Sequence, residues 1–444
     1  MTALNESLPA TRRVLTHLRD PLMRTGDLLM LNAGINALLG TLFWVVAAHR
    51  YSRESVGTNS AAIAAMMLIA GFAQLNLMSA MVRFVPVSGR GTKRLVAAAY
   101  IVSAAVAVAF SVLFLIGIRG WAPGLAAVLD HWPVALWFVL STCAWCVFVL
   151  QDSVLTGLGR PGWVPAENGV FALGKLVLAF LFFTLLPLYG LFMAWTIAVI
   201  VPTVAVNIFI FRRAIPRHVG ASLESHRGPS FSELARFLSG DYVASLAWIS
   251  ATALLPVMVL NRLGPGPTAT FAIVWAIAVA LFVVSSSMGQ SLVVQGAKNE
   301  SQLSFHSRRA TRHALQLLVP GVIVLLITAP YILRLFGRVY AEQGSTSLRL
   351  LALAAFPLLF VTIVVSELRV QRKMFRVAAT MVLLAIIVLA LSYMLIPRIG
   401  ITGIGVAWLC GEGVVAVFLL VMRLAGSPSP AASATDGIGT VLQQ

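Results

Sequence analysis

Twelve runs of about twenty apolar residues follow one another along this chain of 444 residues. A helix needs about twenty apolar residues to cross a hydrocarbon core about 30 Å thick. Charged residues make up only 11% of the chain, against about 25% in soluble domains. The sequence therefore predicts an all-α, polytopic membrane protein with about twelve transmembrane helices. The runs are 28–48, 58–82, 96–118, 133–157, 166–187, 190–211, 240–261, 268–292, 315–335, 348–366, 377–396 and 402–422.

The longest hydrophilic connection divides the twelve runs into six and six. Each set of six begins with Gly-Asp and an apolar run, at Asp27 and again at Asp241. Repeated halves in one orientation are common among transporters, so two similar six-helix bundles are predicted. In chain order, the predicted segments are a cytoplasmic N-terminal segment at 1–27, a first bundle at 28–211, a cytoplasmic linker at 212–239, a second bundle at 240–422 and a disordered cytoplasmic tail at 423–444.

The net charge of +17 is distributed as expected for a membrane protein, which argues against a nucleic-acid partner. Most of the 32 Lys and Arg residues lie in alternate connections, the ones that are inside if the N-terminus is cytoplasmic. This is the positive-inside bias. It predicts a multi-pass protein of the bacterial inner membrane with both termini in the cytoplasm and no removable signal peptide.

Motifs of enzymes and of metal or cofactor sites are missing from the sequence. It contains no G-x-x-x-x-G-K-[ST] phosphate loop, no H-E-x-x-H and no G-x-S-x-G. The short outer connections leave no room for the catalytic acids of a membrane glycosyltransferase. Cys143 and Cys146 form a C-x-x-C inside a predicted span, where they read as small apolar residues. We expect a protein that is not an enzyme and that has no metal and no cofactor.

Two opposite charges lie inside predicted spans, in the stretch QDSVLTGLGRPGWVPAENGVFALGK at 151–175. Asp152 precedes the turn near 160–165 by about two helical turns, and Lys175 follows it by two to three. Charges in a bilayer need a partner or a watery cavity. We therefore expect Asp152 and Lys175 to lie close together, either as a structural ion pair or with Lys175 binding an anionic substrate that Asp152 orients. Asp152 is also a candidate for ion coupling.

Other polar residues of the spans are secondary candidates for the site. Asn32 and Asn36 lie on one face of the first span and either join helices or line a polar cavity. Arg83, at the end of the second span, either snorkels to lipid headgroups or binds an incoming phosphate. Glu412 is a lone acid in the last span and a second candidate for ion coupling. The segment KNESQLSFHSRRATRH, at 298–313, reads as an interfacial helix that contacts anionic lipids or as a plain cytoplasmic loop.

Three stretches resemble a known family. HRYSRESVGTNSA at 49–61, SAMVRFVP at 79–86 and the stretch at 151–175 are similar to segments of the polysaccharide-exporter branch of the multidrug/oligosaccharidyl-lipid/polysaccharide (MOP) superfamily. The resemblance implies two six-helix bundles around a central cavity, alternating access and translocation of polyprenyl-pyrophosphate-linked glycans. Relatives that flip the peptidoglycan precursor use arginines in the first helix. This chain has Asn32 and Asn36 there, so no arginine site is carried over.

The sequence therefore predicts a flippase for lipid-linked oligosaccharide in cell-surface polysaccharide biosynthesis, including lipopolysaccharide. Two alternatives stay open. One is an ion-coupled exporter of small organic molecules on the same scaffold, and the other is a non-transporting membrane scaffold that binds glycan-assembly proteins.

Overall fold

The computed structural model describes residues 39–221, 231–298 and 300–425, and these residues form helices and no strand. The helices, numbered along the chain, are α1 (39–50), α2 (Arg53–Ala73), α3 (Leu77–Phe84), α4 (Thr92–Ile116), α5 (Ile118–Trp121), α6 (Pro123–Leu129), α7 (Trp132–Gly157), α8 (Trp163–Leu185), α9 (Gly190–Phe209), α10 (Ile215–Ala221), α11 (Phe231–Leu263), α12 (Pro265–Lys298), α13 (Leu303–Arg334), α14 (Arg338–Val370), α15 (Met374–Ile399) and α16 (Thr402–Ala425).

Within the described residues, eleven helices are long and apolar enough to cross a membrane. They coincide with the second to twelfth apolar runs, and this agreement confirms the prediction of an all-α, polytopic membrane protein. Most of the first run lies outside the described residues, and so do Asn32, Asn36, the segment 1–27 and the end of the tail. Nothing in the structure bears on those predictions.

The second apolar run is two helices and not the single span that the sequence predicts. Helix α2 ends at Ala73, and α3 begins at Leu77. Leu75 and Asn76 lie between them with φ of 47° and 58°, the left-handed region in which a helix cannot continue. Asn tolerates this conformation better than most residues, and the Asn76 Oδ1 accepts a hydrogen bond from the Ser79 hydroxyl at 3.0 Å. Arg83 therefore lies on the short helix α3.

Two segments predicted as connections are largely helical. In the predicted linker, α9 continues through a π-helical turn at Ile210–Ala214 into α10, and α11 begins at Phe231. The basic segment 298–313 contains a 3₁₀ turn at Glu300–Gln302 followed by the first turns of α13. It is therefore helical from Leu303 onward and not a plain loop, and its contact with anionic lipids stays a prediction.

The chain forms two compact units. Within the described residues, the first unit consists of 39–242 together with Pro256–Ala276 and Arg334–Tyr340. The second unit consists of Val243–Leu255, Ile277–Leu333 and the chain from Ala341 onward. The division runs through four helices: the first unit contains both ends of α11, the first twelve residues of α12, the last residue of α13 and the first three residues of α14.

The stretch at 49–61 joins helices of the first unit. The Arg53 guanidinium donates to the Gly266 carbonyl at 3.2 Å and to the Thr270 hydroxyl at 3.1 Å, and it lies 5.5 Å from the Tyr340 ring centroid. A side chain at Gly57 would overlap the Pro265 carbonyl, so α2 and α12 approach each other here at backbone distance. Most of this motif is therefore explained by packing.

Asn59, in the same stretch, holds the connection between α8 and α9. Its Nδ2 donates to the Leu188 carbonyl at 2.7 Å, and its Oδ1 accepts from the Phe192 backbone N–H at 2.8 Å. The neighbouring Ser55 hydroxyl donates to the Pro187 carbonyl at 2.7 Å. Because one amide side chain satisfies backbone groups on both sides of the connection, it fixes the start of α9.

The second unit packs around Trp408 of α16, which is fully buried. Its ring stacks on Phe282 with centroids 6.1 Å apart and meets Trp248 edge-on at 5.9 Å. Glu367 of α14 is buried, and Arg423 of α16 pairs with it at 3.0 Å.

Candidate functional site

A chain of side-chain hydrogen bonds crosses three helices of the first unit. The Asn207 Nδ2 on α9 donates to the Gln151 Oε1 on α7 at 2.7 Å. The Gln151 Nε2 then donates to the Glu167 Oε2 on α8 at 2.9 Å. Gln151 is 0% and Glu167 is 3% exposed. An amide that both accepts and donates fixes the orientation of both neighbours, so this network determines where the Glu167 carboxyl group lies.

Two carboxyl groups meet at the end of this network. The Asp152 carboxyl on α7 lies close enough to the Glu167 carboxyl on α8 to interact with it electrostatically, and the Asn168 Nδ2 donates to the Asp152 Oδ2 at 3.4 Å. Because ionised carboxylates only accept hydrogen bonds, a bond between two carboxyl groups requires a proton on one of them. Asp152 and Glu167 are therefore a candidate pair for sharing a proton.

The surroundings of this carboxyl pair are polar but nearly free of charge. The Asp152 Oδ1 and the Glu167 Oε1 are buried and accept no hydrogen bond from an N–H or hydroxyl group of the described residues. Tyr100, on α4, is the other titratable side chain that interacts electrostatically with both carboxyls. Its hydroxyl group is also buried without a partner among the described residues.

Lys175 lies on α8 inside a cluster of aromatic rings. Its Nζ is 4.0 Å from the Trp195 ring centroid, 4.7 Å from that of Phe171 and 5.4 Å from that of Phe43. The residue is only 7% exposed. Three rings from α1, α8 and α9 therefore surround the ammonium with cation–π contacts, each worth about 0.5–2 kcal/mol.

The expected Asp152–Lys175 contact is not found among the described residues. The side chains that Asp152 contacts are Glu167 and Asn168, whereas Lys175 contacts rings. Lys175 lies eight residues beyond Glu167 on α8, which is about 12 Å along a helix axis. The prediction that these two charges interact directly was therefore wrong. It overlooked Glu167, which lies four residues after α8 begins, whereas Asp152 lies five residues before α7 ends.

An apolar groove lies between α1 and α8. Its volume is about 310 Å³. Leu42 and Val46 of α1 line one side, and Leu176, Val177, Phe180 and Leu181 of α8 line the other. The groove thus begins at the residue that follows Lys175 and runs along α8 away from the carboxyl pair.

The other predicted site residues lie elsewhere. Arg83 is exposed on α3, with its guanidinium 5.7 Å from the ring of its neighbour Phe84. Glu412, on α16 in the second unit, is 0% exposed, and neither of its carboxyl oxygens has a partner among the described residues. Cys143 and Cys146 are free thiols. The described residues contain no group of three or more His, Cys, Asp or Glu side chains suited to a metal ion.

No protein-family model and no curated sequence matches the chain. Its structure, however, is similar to solved transporters. The lipid II flippase MurJ in an inward closed conformation is 13% identical, with a TM-score of 0.72 over 89% of this chain and 87% of that one. An inward-facing multidrug resistance MATE transporter of the MOP superfamily is 15% identical, with a TM-score of 0.64 over 89% and 96%.

A third solved structure is a MOP superfamily transporter from Pyrococcus furiosus, described as having a binding pocket of reversed polarity. It is 15% identical, with a TM-score of 0.61 over 89% of this chain and 93% of that one. The chain therefore has the MOP fold, as the resemblance in the sequence implies. Identities this low establish the fold alone, because one fold hosts many substrates.

Proposed function

We propose that this protein is a flippase that moves polyprenyl-pyrophosphate-linked oligosaccharide across the bacterial inner membrane by alternating access, with both termini in the cytoplasm. The observation that carries the proposal is the position of Lys175. Its ammonium is buried among aromatic rings with no carboxylate partner among the described residues, and an apolar groove begins at Leu176, the next residue of α8. A lipid phosphate has the complementary chemistry, because it joins an anion to an apolar chain.

The energetics of Lys175 favour an anionic ligand. Burial of an ammonium costs several kcal/mol even after relaxation, and three cation–π contacts offset only part of that cost. Hydrogen bonds from the ammonium to a phosphate oxygen would offset more of it. An anion bound at Lys175 would thus stabilise the buried ammonium.

The surroundings of Lys175 suit the rest of such a substrate. The groove along Leu176, Phe180 and Leu181 would take part of an isoprenoid chain. Flat aromatic faces such as Trp195 and Trp145, whose centroids are 6.1 Å apart, are surfaces on which sugar rings pack. Among the described site residues, Lys175 is therefore the one that we assign to the pyrophosphate.

A flipping assay tests this function. The full chain would be reconstituted in liposomes with a fluorescent polyprenyl-pyrophosphate oligosaccharide, and a membrane-impermeant quencher would report the fraction exposed outside. We expect rapid flipping by the wild type, a loss of at least about tenfold in Lys175→Met, and no change in Lys373→Met, in which an exposed lysine is removed. Absence of flipping by the wild type would contradict the function, and full activity of Lys175→Met would contradict the assignment.

The Asp152–Glu167 pair favours a second candidate, a proton-coupled exporter of small molecules. A carboxyl pair that shares a proton can release it when a conformational change admits water. The discriminating measurement is efflux of a cationic dye from the same liposomes under an imposed pH gradient. Dye efflux that Glu167→Gln abolishes, together with no lipid flipping, would favour this candidate. A protein inactive in both assays that still binds glycan-assembly proteins would be the scaffold.

A further inference from the structure

A cavity of about 520 Å³ in the second unit lies between α12 and α13, near the turn that joins them. Its lining follows one face of each helix. Met288, Ser291, Leu292 and Gln295 are spaced i, i+3, i+4 and i+7 on α12, and His306, Arg309, Ala310 and His313 repeat that spacing on α13. Residues with this spacing share a helix face. The cavity is thus formed by two helix faces that diverge from a common turn, with Arg312 and Gln316 completing the wall.

A glycine closes the cavity at the end nearest the turn. A Cβ atom at Gly296 would approach the Val370 side chain to 2.8 Å and the Leu303 side chain to 3.0 Å. The close packing of α12 against α13 and α14 at this position brings the two helices together near residue 296. The separation of α12 and α13 around Ser291 and Arg309 is therefore a consequence of how the helices pack near residue 296.

The lining of the cavity is cationic and contains no carboxylate. Two arginines and two histidines line it, and Arg309, Arg312 and His313 are exposed. Within the described chain, none of the four makes an ion pair or a hydrogen bond to a side chain or backbone carbonyl. The Nδ1 of His306 is buried and has no partner among the described residues. Cationic donors are therefore concentrated where the cavity lining supplies no carboxylate.

A phosphate group matches this arrangement. Arginine guanidinium groups bind phosphate oxygens in a two-pronged geometry, and the Ser291 and Gln295 side chains add neutral hydrogen-bonding groups on the facing helix. Met288 and Leu292 make one wall apolar. Val294 and Phe305, both 60% exposed, continue an apolar surface on the same two helix ends. A phosphate that carries acyl chains fits this combination better than a free phosphate does.

The charge bias of the sequence places this end of α12 and α13 on the cytoplasmic side, where membrane leaflets are rich in anionic lipids. We propose that the α12–α13 cavity is a binding site for the phosphate group of an anionic membrane lipid, with Arg309 and Arg312 as its charged ligands. This site is separate from Lys175, and its occupant need not be the transported molecule.

Native mass spectrometry of the full chain in detergent tests the site. Phosphatidylglycerol would be titrated in, with zwitterionic phosphatidylcholine as the reference lipid. We expect wild-type protein to retain phosphatidylglycerol preferentially and the Arg309→Gln/Arg312→Gln variant to lose about tenfold in apparent affinity. The control Arg308→Gln/Arg376→Gln removes two exposed charges outside the cavity and should stay within about twofold of the wild type.

Two further arms keep the result unambiguous. The variant Arg309→Lys/Arg312→Lys keeps both charges but loses the two-pronged geometry, so it should bind phosphatidylglycerol with intermediate affinity. It also provides the test if the glutamine variant does not fold. Inorganic pyrophosphate in excess should not displace the lipid; displacement would identify a soluble phosphate as the occupant and overturn a lipid site. Equal retention of both lipids, or equal loss in the cavity and control variants, would also overturn it.

Discussion

The Lys175 ammonium lies 4.0 Å from the centroid of the Trp195 ring, and the nearest acidic side chains, Asp152 and Glu167, interact with each other. The two charged features of the first bundle are therefore separate. One is a cation held by aromatic rings, and the other is a pair of carboxyl groups that contacts amide side chains. Each calls for its own experiment.

The first prediction concerns the contact between Lys175 and Trp195. Lys175→Met removes a buried ammonium and keeps most of the volume, so we expect the melting temperature in detergent to stay the same or rise. Trp195→Leu removes a ring that stabilises the ammonium and leaves a cavity, so it should lower the melting temperature. In the Lys175→Met background, Trp195→Leu should lower the free energy of unfolding by less than it does in the wild type. The difference is the cation–π contribution, about 1–2 kcal/mol. Equal costs in the two backgrounds would show that the ring does not stabilise the cation.

The second prediction concerns the shared proton of Asp152 and Glu167. In Glu167→Gln the amide can accept from Gln151 and donate to Asp152, so we expect the melting temperature to change little. Glu167→Ala leaves the Gln151 amide and the Asp152 carboxyl without this partner. It should lower the free energy of unfolding by about 3 kcal/mol. Infrared spectra should show a protonated carboxyl stretch in the wild type that Glu167→Gln removes. An unchanged band in Glu167→Gln would mean that this pair does not hold the proton.

The third prediction uses the close approach at Gly57. Gly57→Ala places a methyl group against the Pro265 carbonyl, and because backbone must move to admit it, we expect a loss of several degrees in melting temperature. Gly169→Ala is the matched control, since it lies in helix α8 with no atom within 4 Å of the added Cβ, and it should be neutral or slightly stabilising. If the two variants have the same melting temperature, α2 and α12 are less tightly packed than the structure indicates.

The spans were predictable because hydrocarbon imposes a length and a composition on every crossing helix. The break at Leu75 and Asn76 was not, because the apolar pattern continues through it and hydropathy carries no information on backbone dihedrals. A left-handed Asn between two apolar helices is visible only in three dimensions.

The polar site was predictable in its location and not in its pairing. The search for opposite charges drew attention to Asp152 and Lys175, yet the partner of Asp152 is a second acid. Asp152 lies eight residues before Arg160 and Glu167 seven residues after it, and this similar spacing was the signal available in the sequence. The partners of Lys175 are rings contributed by three different helices, and helix packing alone brings them together.

The fourth prediction concerns Glu412, a fully buried acid whose two carboxyl oxygens have no partner among the described residues. Replacement of an unpaired buried polar group by an apolar one of similar volume is expected to stabilise the fold, so Glu412→Met should raise the melting temperature. If Glu412 takes part in ion coupling, Glu412→Met and Glu412→Gln should both fold and both lose gradient-driven transport. Transport at the wild-type rate in both variants would leave Glu412 without a coupling role.

The last prediction concerns orientation, on which the cytoplasmic placement of the α12–α13 cavity depends. His131 and Arg160 are exposed residues that flank the two ends of α7, so single cysteines at these positions lie on opposite sides of one span. In a background in which Cys143, Cys146 and Cys410 are replaced, the positive-inside bias predicts that an impermeant maleimide labels His131→Cys in intact cells. Arg160→Cys should be labelled only after the cells are opened, and a cysteine at the cavity residue Arg312 should behave in the same way because it follows the same bias. Labelling of Arg160→Cys from outside, with protection of His131→Cys, would invert the topology and move the cationic cavity to the outer face, where the lipid proposal would no longer hold.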